Sequence, residues 1–485
     1  MIVRTLSVSG LALAVALSLT AAPSMAAQKK RPDAAQTLPY EATAAQLRDK
    51  ALKGTIAYSL VEDITTRFGP RMAGSDAERR AAEWGARRLK ELGFENVAVE
   101  TFPLAPWVRV DEEGAIVAPY PQPLVVSLLG GSPSTPEAGI EADAVVFETF
   151  QDLRDAPAGS IAGKIAVVLQ PTVRAQTGAG YGYASSIRSQ GPTVAASKGA
   201  VAFVMRSLGT HDHRFAHAGS TRRAADVVPG FAVSPPDADQ LRRAAKAGTL
   251  RLRLKGEAVV PPSGESQNVV AEIRGRERPD EVIVIGGHLD SWDQGTGAID
   301  DAAGVAITTA ALKLIADLPA RPKRTIRVVW WGSEELSQPE PTPGLSGARA
   351  YADARRDALA SHIIASESDF GAGVVHSLAL PTGWQSGAFV TEAMRVLAPL
   401  GITFDGTPST GGGPDVIPLV QAGVPAFRLN QDGTDYFDFH HTADDVLDRV
   451  DAKKLDQNVA AWAALLWLIA DSDVDFRKPA PQPAG

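Results

Sequence analysis

Val282-Ile283-Val284-Ile285-Gly286-Gly287-His288-Leu289-Asp290 runs four apolar residues straight into glycine, histidine and aspartate. An unbroken apolar run of alternating valine and isoleucine predicts a strand buried on both faces of a largely parallel sheet. Such sheets carry their ligand sites just beyond the carboxyl ends of the strands. His288 and Asp290 therefore stand where chemistry is expected. The arrangement repeats downstream. Asp300 and Asp301 close a Gly-rich loop and open a helix expected over Asp301 to Leu318. Glu334 and Glu335 follow a strand expected over Thr325 to Trp331, and Glu367 and Asp369 follow one over His362 to Ser366. His440 and His441 lie further beyond a fourth apolar run, Val424 to Leu429. Five segments thus deliver carboxylate or imidazole groups to one edge of one sheet. A polynuclear metal site with oxygen and nitrogen ligands needs that convergence. Taken singly, an Asp-Asp or Glu-Glu pair is ordinarily a helix cap or a solvated loop, and a lone His is ordinarily structural.

The rest of the chain sets the bounds. Its 485 residues suffice for two or three domains, and a hydrophobic share of 45% with 44 Gly and 34 Pro suits a globular protein rich in turns. The formal net charge is -8 with both signs mixed along the chain, so a nucleic-acid partner has no electrostatic footprint. There is no cysteine. Disulfides and Cys-linked lipids are excluded, and any metal must be held by His and carboxylates. Arg4, the apolar run Leu11 to Leu19 and the small residues Ser24-Met25-Ala26 read as a secretory signal over residues 1–26. A retained anchor is the alternative. The expectation is export to the periplasm or the medium, without stable membrane association once the signal is removed.

A flexible leader is expected over 27–42 and a helical stretch from Thr43 to Leu92, in which Ser75 and Glu78 form a capping-box signature. Val97 to Phe102 alternates like a strand. Between 131 and 262 the texture changes to short β-like runs, such as Ile165 to Leu169 and Ala202 to Met205, set between Gly and Pro turns. One short helix, Asp237 to Ala247, breaks them. This is the pattern of an inserted domain. The surrounding α/β domain is expected over 43–130 and 263–472, closing with a helix Leu455 to Ala470, and 473–485 reads as a disordered tail.

Gly286-Gly287-His288-Leu289-Asp290-Ser291, Gly297-Ala298-Ile299-Asp300-Asp301, Ser333-Glu334-Glu335 and His441-Thr442 together resemble the zinc aminopeptidase and glutamate carboxypeptidase family. More narrowly, Asp290-Ser291-Trp292-Asp293, Glu367-Ser368-Asp369, Gln421-Ala422-Gly423-Val424-Pro425 and Phe439-His440-His441 resemble its carboxypeptidase Q branch. The resemblance implies an α/β zinc-exopeptidase fold: a central mixed, largely parallel sheet flanked by helices, with an inserted β-rich protease-associated domain. It implies two Zn²⁺ ions, one on His288 and Asp369, the other on Glu335 and His441, with Asp300 bridging. Glu334 would be the general base on a water shared by the ions, and Asp290 would orient the His288 ring. His440 competes with His441. The substrate would be a dipeptide or short peptide cut at its amino-terminal bond, and a homodimer is allowed.

Within the inserted block, Lys198 to Val204 is the stretch most like a protease-associated domain. His211-Asp212-His213 and His217 have metal-like spacing there, but a polar loop capping the mouth of the site is preferred. Leu336 to Pro343 reads as a Pro-rich rim loop. A true carboxypeptidase or endopeptidase of the same metal class, and a receptor-like binding module without catalysis, remain alternatives.

Overall fold

The computed structural model describes residues 39–480. The expected signal over 1–26 and most of the leader lie outside them. Val282–Ile285 sits inside the strand Arg278–His288, second from one edge of a five-stranded sheet. Arg324–Trp331 and His362–Glu367 flank it in parallel, and Gly264–Ile273 and then Glu95–Leu104 extend the sheet antiparallel beyond Arg324–Trp331. The register places His288 opposite Trp331 and Gly286 opposite Glu367. Three parallel strands therefore end at one level, with the acidic residues just past that line.

The helix Ala303–Ala316 is apolar almost all round. Such a helix must be covered on every side. It lies between this sheet and the helices Ala57–Phe68 and Ala452–Asp471. Its start approaches the Asp369 segment so closely that a Cβ on Gly304 would stand 1.7 Å from the Ser368 carbonyl oxygen. Only glycine fits there.

An eight-stranded sheet forms the second body of structure. Its order is Gln122–Leu124, Val108–Ala118, Arg251–Val259, Ile140–Phe147, Ile165–Val168, Ala202–Arg206, Gly230–Val233 and Val126–Leu128. The β-rich region thus reaches back to Val108, earlier than the expected start at 131, because the charged run Asp111-Glu112-Glu113-Gly114 hides the strand's alternation. It also contains the helix Ala179–Ser197. Its three glycines and internal Pro192 argue against a helix in the sequence; buried Ala184, Ile187 and Ala195 hold it through tertiary packing.

Three further differences matter. The fourth expected strand is seen as Arg428–Gln431, in a separate three-stranded sheet with Val375–Pro381 and Thr403–Ser409. A helix begins at Pro39, inside the expected leader, and the start of the expected tail is anchored by buried Phe476, which packs against Trp384 and Phe389. The capping box is half formed. Ser75 Oγ accepts from the Glu78 amide, but the buried Glu78 carboxylate turns to the Gly74 amide and the Ser266 hydroxyl. No helix among the described residues is long and apolar enough to cross a membrane.

Candidate metal centre

Asp300 is the hinge of the site. Its Oδ1 lies 3.1 Å from His288 Nε2, while its Oδ2 lies 3.1 Å from His441 Nε2. One carboxylate therefore addresses two imidazoles from opposite sides. Asp369 Oδ1 stands 3.6 Å from His288 Nε2, and Glu335 Oε2 stands 2.9 Å from His441 Nε2. The five residues form two halves, His288 with Asp369 and His441 with Glu335, joined at Asp300. None exposes more than 10% of its side chain.

Each group is fixed from behind. Asp445 accepts from the amides of Ala298, Ile299 and Asp300, which sets the loop carrying Asp300. Asp301 accepts from the amides of His288 and Gly304, tying the strand end to the helix start. Fully buried Arg71 donates to the carbonyls of Gly69, Leu289, Thr296 and Gly297. Trp292 Nε1 donates to Glu335 Oε2 at 2.6 Å. His441 and Ser333 both have left-handed backbones, φ 59° and 56°. Non-glycine residues hold that conformation only where their surroundings impose it.

The electrostatics are those of a cation site. Burial pushes the Glu334 carboxyl well above its ordinary range, with Glu335, Asp369 and Asp290 adding to the effect against the pull of His288. Burial likewise raises Glu335 and Asp290. Burial also acts to raise Asp300, yet the imidazoles of His440, His288 and His441 together hold it well below the usual value. So many carboxylates cannot stay ionised out of water without compensating positive charge. Among the described residues, His288 with Asp300 and Glu335, His288 with Asp301 and Asp369, and His217 with His440 and His441 are grouped closely enough to hold a metal ion. Glu335 Oε1 is buried with no hydrogen-bond partner, and two imidazole nitrogens converge on Asp300 Oδ2. Free lone pairs on carboxylate and imidazole, turned toward one another, fit a metal ion's donor set.

The sequence pattern of peptidase family M28 matches residues 268–466. Carboxypeptidase Q of Mus musculus is 32% identical over 440 residues, 90% of each chain. The chain belongs to peptidase family M28. The crystal structure of a peptidase M28 precursor from Shewanella amazonensis SB2B is similar along almost the whole M28 chain: 43% identity, 91% of this chain and 99% of that one, TM-score 0.86. A zinc aminopeptidase from Bacillus subtilis shares the M28 fold at 18% identity and TM-score 0.60, over 87% of this chain and 96% of its own. The protein is thus an M28 metallopeptidase.

One expectation changes in this M28 site. The Asp290 carboxylate is 3.8 Å from His288 Nδ1, beyond hydrogen-bond reach, and the ring faces the Asp290 backbone carbonyl at 2.9 Å instead. The carboxylate accepts from the amides of Glu334 and Glu335 at 3.0 and 3.2 Å. Asp290 therefore orients the His288 ring through its main chain and the glutamate turn through its side chain. His440 and His441 stack at 3.5 Å and both address Asp300, but only His441 also faces Glu335. Of the other histidines, His217 lies beside His441, with ring centroids 5.0 Å apart, whereas His211 and His213 belong to none of the metal-like groups.

Asp445, Arg71, Arg188 and Ser220 escape a reading of the sequence. Asp445, three residues past Thr442, carries the one available signal, a carboxylate close after the His pair. Arg71 and Ser220 carry none.

Proposed function

We propose that the protein is a two-zinc exopeptidase that releases the amino-terminal residue of dipeptides or short peptides. The observation that carries this reading is the division of Asp300 between His288 and His441. His288 and Asp369 would hold one ion, Glu335 and His441 the other, and Asp300 both. When bound, the ions acidify the attacking water and polarise the scissile carbonyl. Glu334 would take the proton from that water onto its carboxylate and then hand it to the leaving amine. Asp290, through the amides of Glu334 and Glu335, keeps these neighbours in separate roles, one free and one a ligand.

Beside Asp369 and Glu367 opens a cavity of about 270 Å³ that continues to Phe370, Arg428 and Asn430. That volume suits one or two residues of substrate, just under the usual range for ligand pockets. We take the eight-stranded region as a protease-associated-like domain closing over the cleft, and the protein as exported.

The mouse relative's name speaks of a carboxyl end, which makes removal of carboxyl-terminal residues the competing reading. A dipeptide panel with free and blocked amino groups, assayed with and without chelator, separates the two. Chelator-sensitive cleavage of free dipeptides alone is the expected result. Equal cleavage of amino-blocked peptides would sink amino-end recognition.

A further inference from the structure

The two halves of the centre are supported unequally. His288 and Asp369 are held by elements of the five-stranded sheet. The Glu335/His441 half is also gripped from the eight-stranded region by residues 216–221, which run between the strands Ala202–Arg206 and Gly230–Val233. Ser220 Oγ donates to the Glu335 carbonyl at 2.8 Å and accepts from the Ser337 amide at 3.0 Å, so one hydroxyl brackets the glutamate turn. The Ala218 amide donates to the His441 carbonyl at 2.8 Å, on the residue whose backbone is left-handed. His217 is buried against the His441 ring, its Nε2 without a hydrogen-bond partner. Arg188, from the helix Ala179–Ser197, brings a guanidinium nitrogen within 3.3 Å of His441 Nδ1.

We infer that residues 216–221 are a positioning strap that sets the affinity of the Glu335/His441 ion and leaves the His288/Asp369 ion alone. The physical reason is that the backbone carbonyl of each of these two ligands is bonded by the strap, from outside the five-stranded sheet. Glu335 stands two residues past Ser333, whose φ is positive, His441 has a positive φ itself, and the strap donates a hydrogen bond to the main-chain carbonyl of each ligand. Loss of such outer partners typically weakens metal binding by about 10–100-fold. The inference rests on the two-ion reading above.

The test is zinc content of the full chain, measured after equilibration across a chelator series. In Ser220→Ala one zinc equivalent is expected to leave at chelator activity at least about tenfold lower than in wild type, the other unmoved, with turnover restored by added zinc. Ser220→Thr keeps the hydroxyl and should behave as wild type. Arg222→Ala, one residue past the strap, removes the side-chain bonds to Glu340, Asp226 and Thr193, none of them to the metal centre, and should change neither ion. Two zinc ions of unchanged affinity in Ser220→Ala, or both lost together, overturn the strap alone. A wild-type protein that takes up a single ion overturns the two-ion reading and the inference with it.

Discussion

The two large sheets meet at one site but bring different things to it. The five-stranded sheet supplies the carboxylates and imidazoles: His288, Asp300, Glu334, Glu335, Asp369 and, on the segment packed over it, His441. The eight-stranded region supplies cations and main-chain partners. Arg174 pairs with Asp435 and Asp438 beside the short helix Tyr436–Phe439, Arg188 meets His441, and the strap holds two carbonyls. Chemistry is thus concentrated in one body and geometry is shared between both. Substitutions in the first should remove function at constant fold, whereas those in the second should loosen it by degrees.

Glu334→Gln is the sharpest cut. Turnover should fall by about 10²–10⁴-fold while zinc content and melting temperature stay as in wild type; parallel loss of metal would show that Glu334 is a ligand and not a base. Arg71→Ala comes next. It strips donors from four carbonyls, those of Leu289 and Gly297 buried, and urea denaturation should register a loss of about 2–4 kcal/mol. A loss below about 1 kcal/mol would mean that the Asp300 loop is held mainly by Asp445.

A smaller effect is read by pH. In protein stripped of metal, burial and the charge of Asp369 raise Glu367 from 4.5 to about 8. Glu334, Glu335 and Asp290 are raised by burial too. Burial opposes a raised value at His288 and His441, but their carboxylate neighbours outweigh it. Between the unfolded and folded values the folded chain binds the extra protons, so stability increases as pH falls through that window. Buried His217, His440, His211 and His362 are lowered and oppose this only below about pH 6.5, so the chelated protein should melt higher near about pH 7 than near about pH 8, and zinc should flatten the slope. An equal slope with and without zinc would contradict a cation site among these carboxyls. Smallest is Arg174→Ala, which breaks the surface pairs with Asp435 and Asp438, each worth at most about 1 kcal/mol. It should raise KM a few-fold and leave the melting temperature within error; a large fall in turnover would put the β-rich body inside the chemistry and break the comparison.

The same division governs what a reader of the sequence can see. Val282–Ile285, Thr325–Trp331 and His362–Ser366 announce themselves because an apolar run buried on both faces is a local signal, and His288, Asp300, Glu334, Glu335, Asp369 and His441 stand at the ends of such runs or loops. The helix Ala179–Ser197 does not, since glycine and proline contradict it locally and only packing against Phe203 and its neighbours decides. Ser220 and Arg71 act through main-chain carbonyls far along the chain, and a hydrogen bond to a carbonyl leaves no residue pattern at its other end. Asp290 was legible as a supporting group, but which of its atoms faces the His288 ring depends on a turn that spacing does not describe.

Asp445 has a mechanical consequence. Its carboxylate takes three consecutive amides, Ala298 to Asp300, while its own carbonyl accepts from the Thr296 amide. The loop bearing Asp300 and the segment bearing His441 are thereby riveted together, and Arg71 pins the loop in turn to Gly69 and Leu289. Neither can swing without the other. The Glu334–Glu335 turn stands outside this riveted pair and is bracketed instead by the Asp290 carboxylate and the Ser220 hydroxyl.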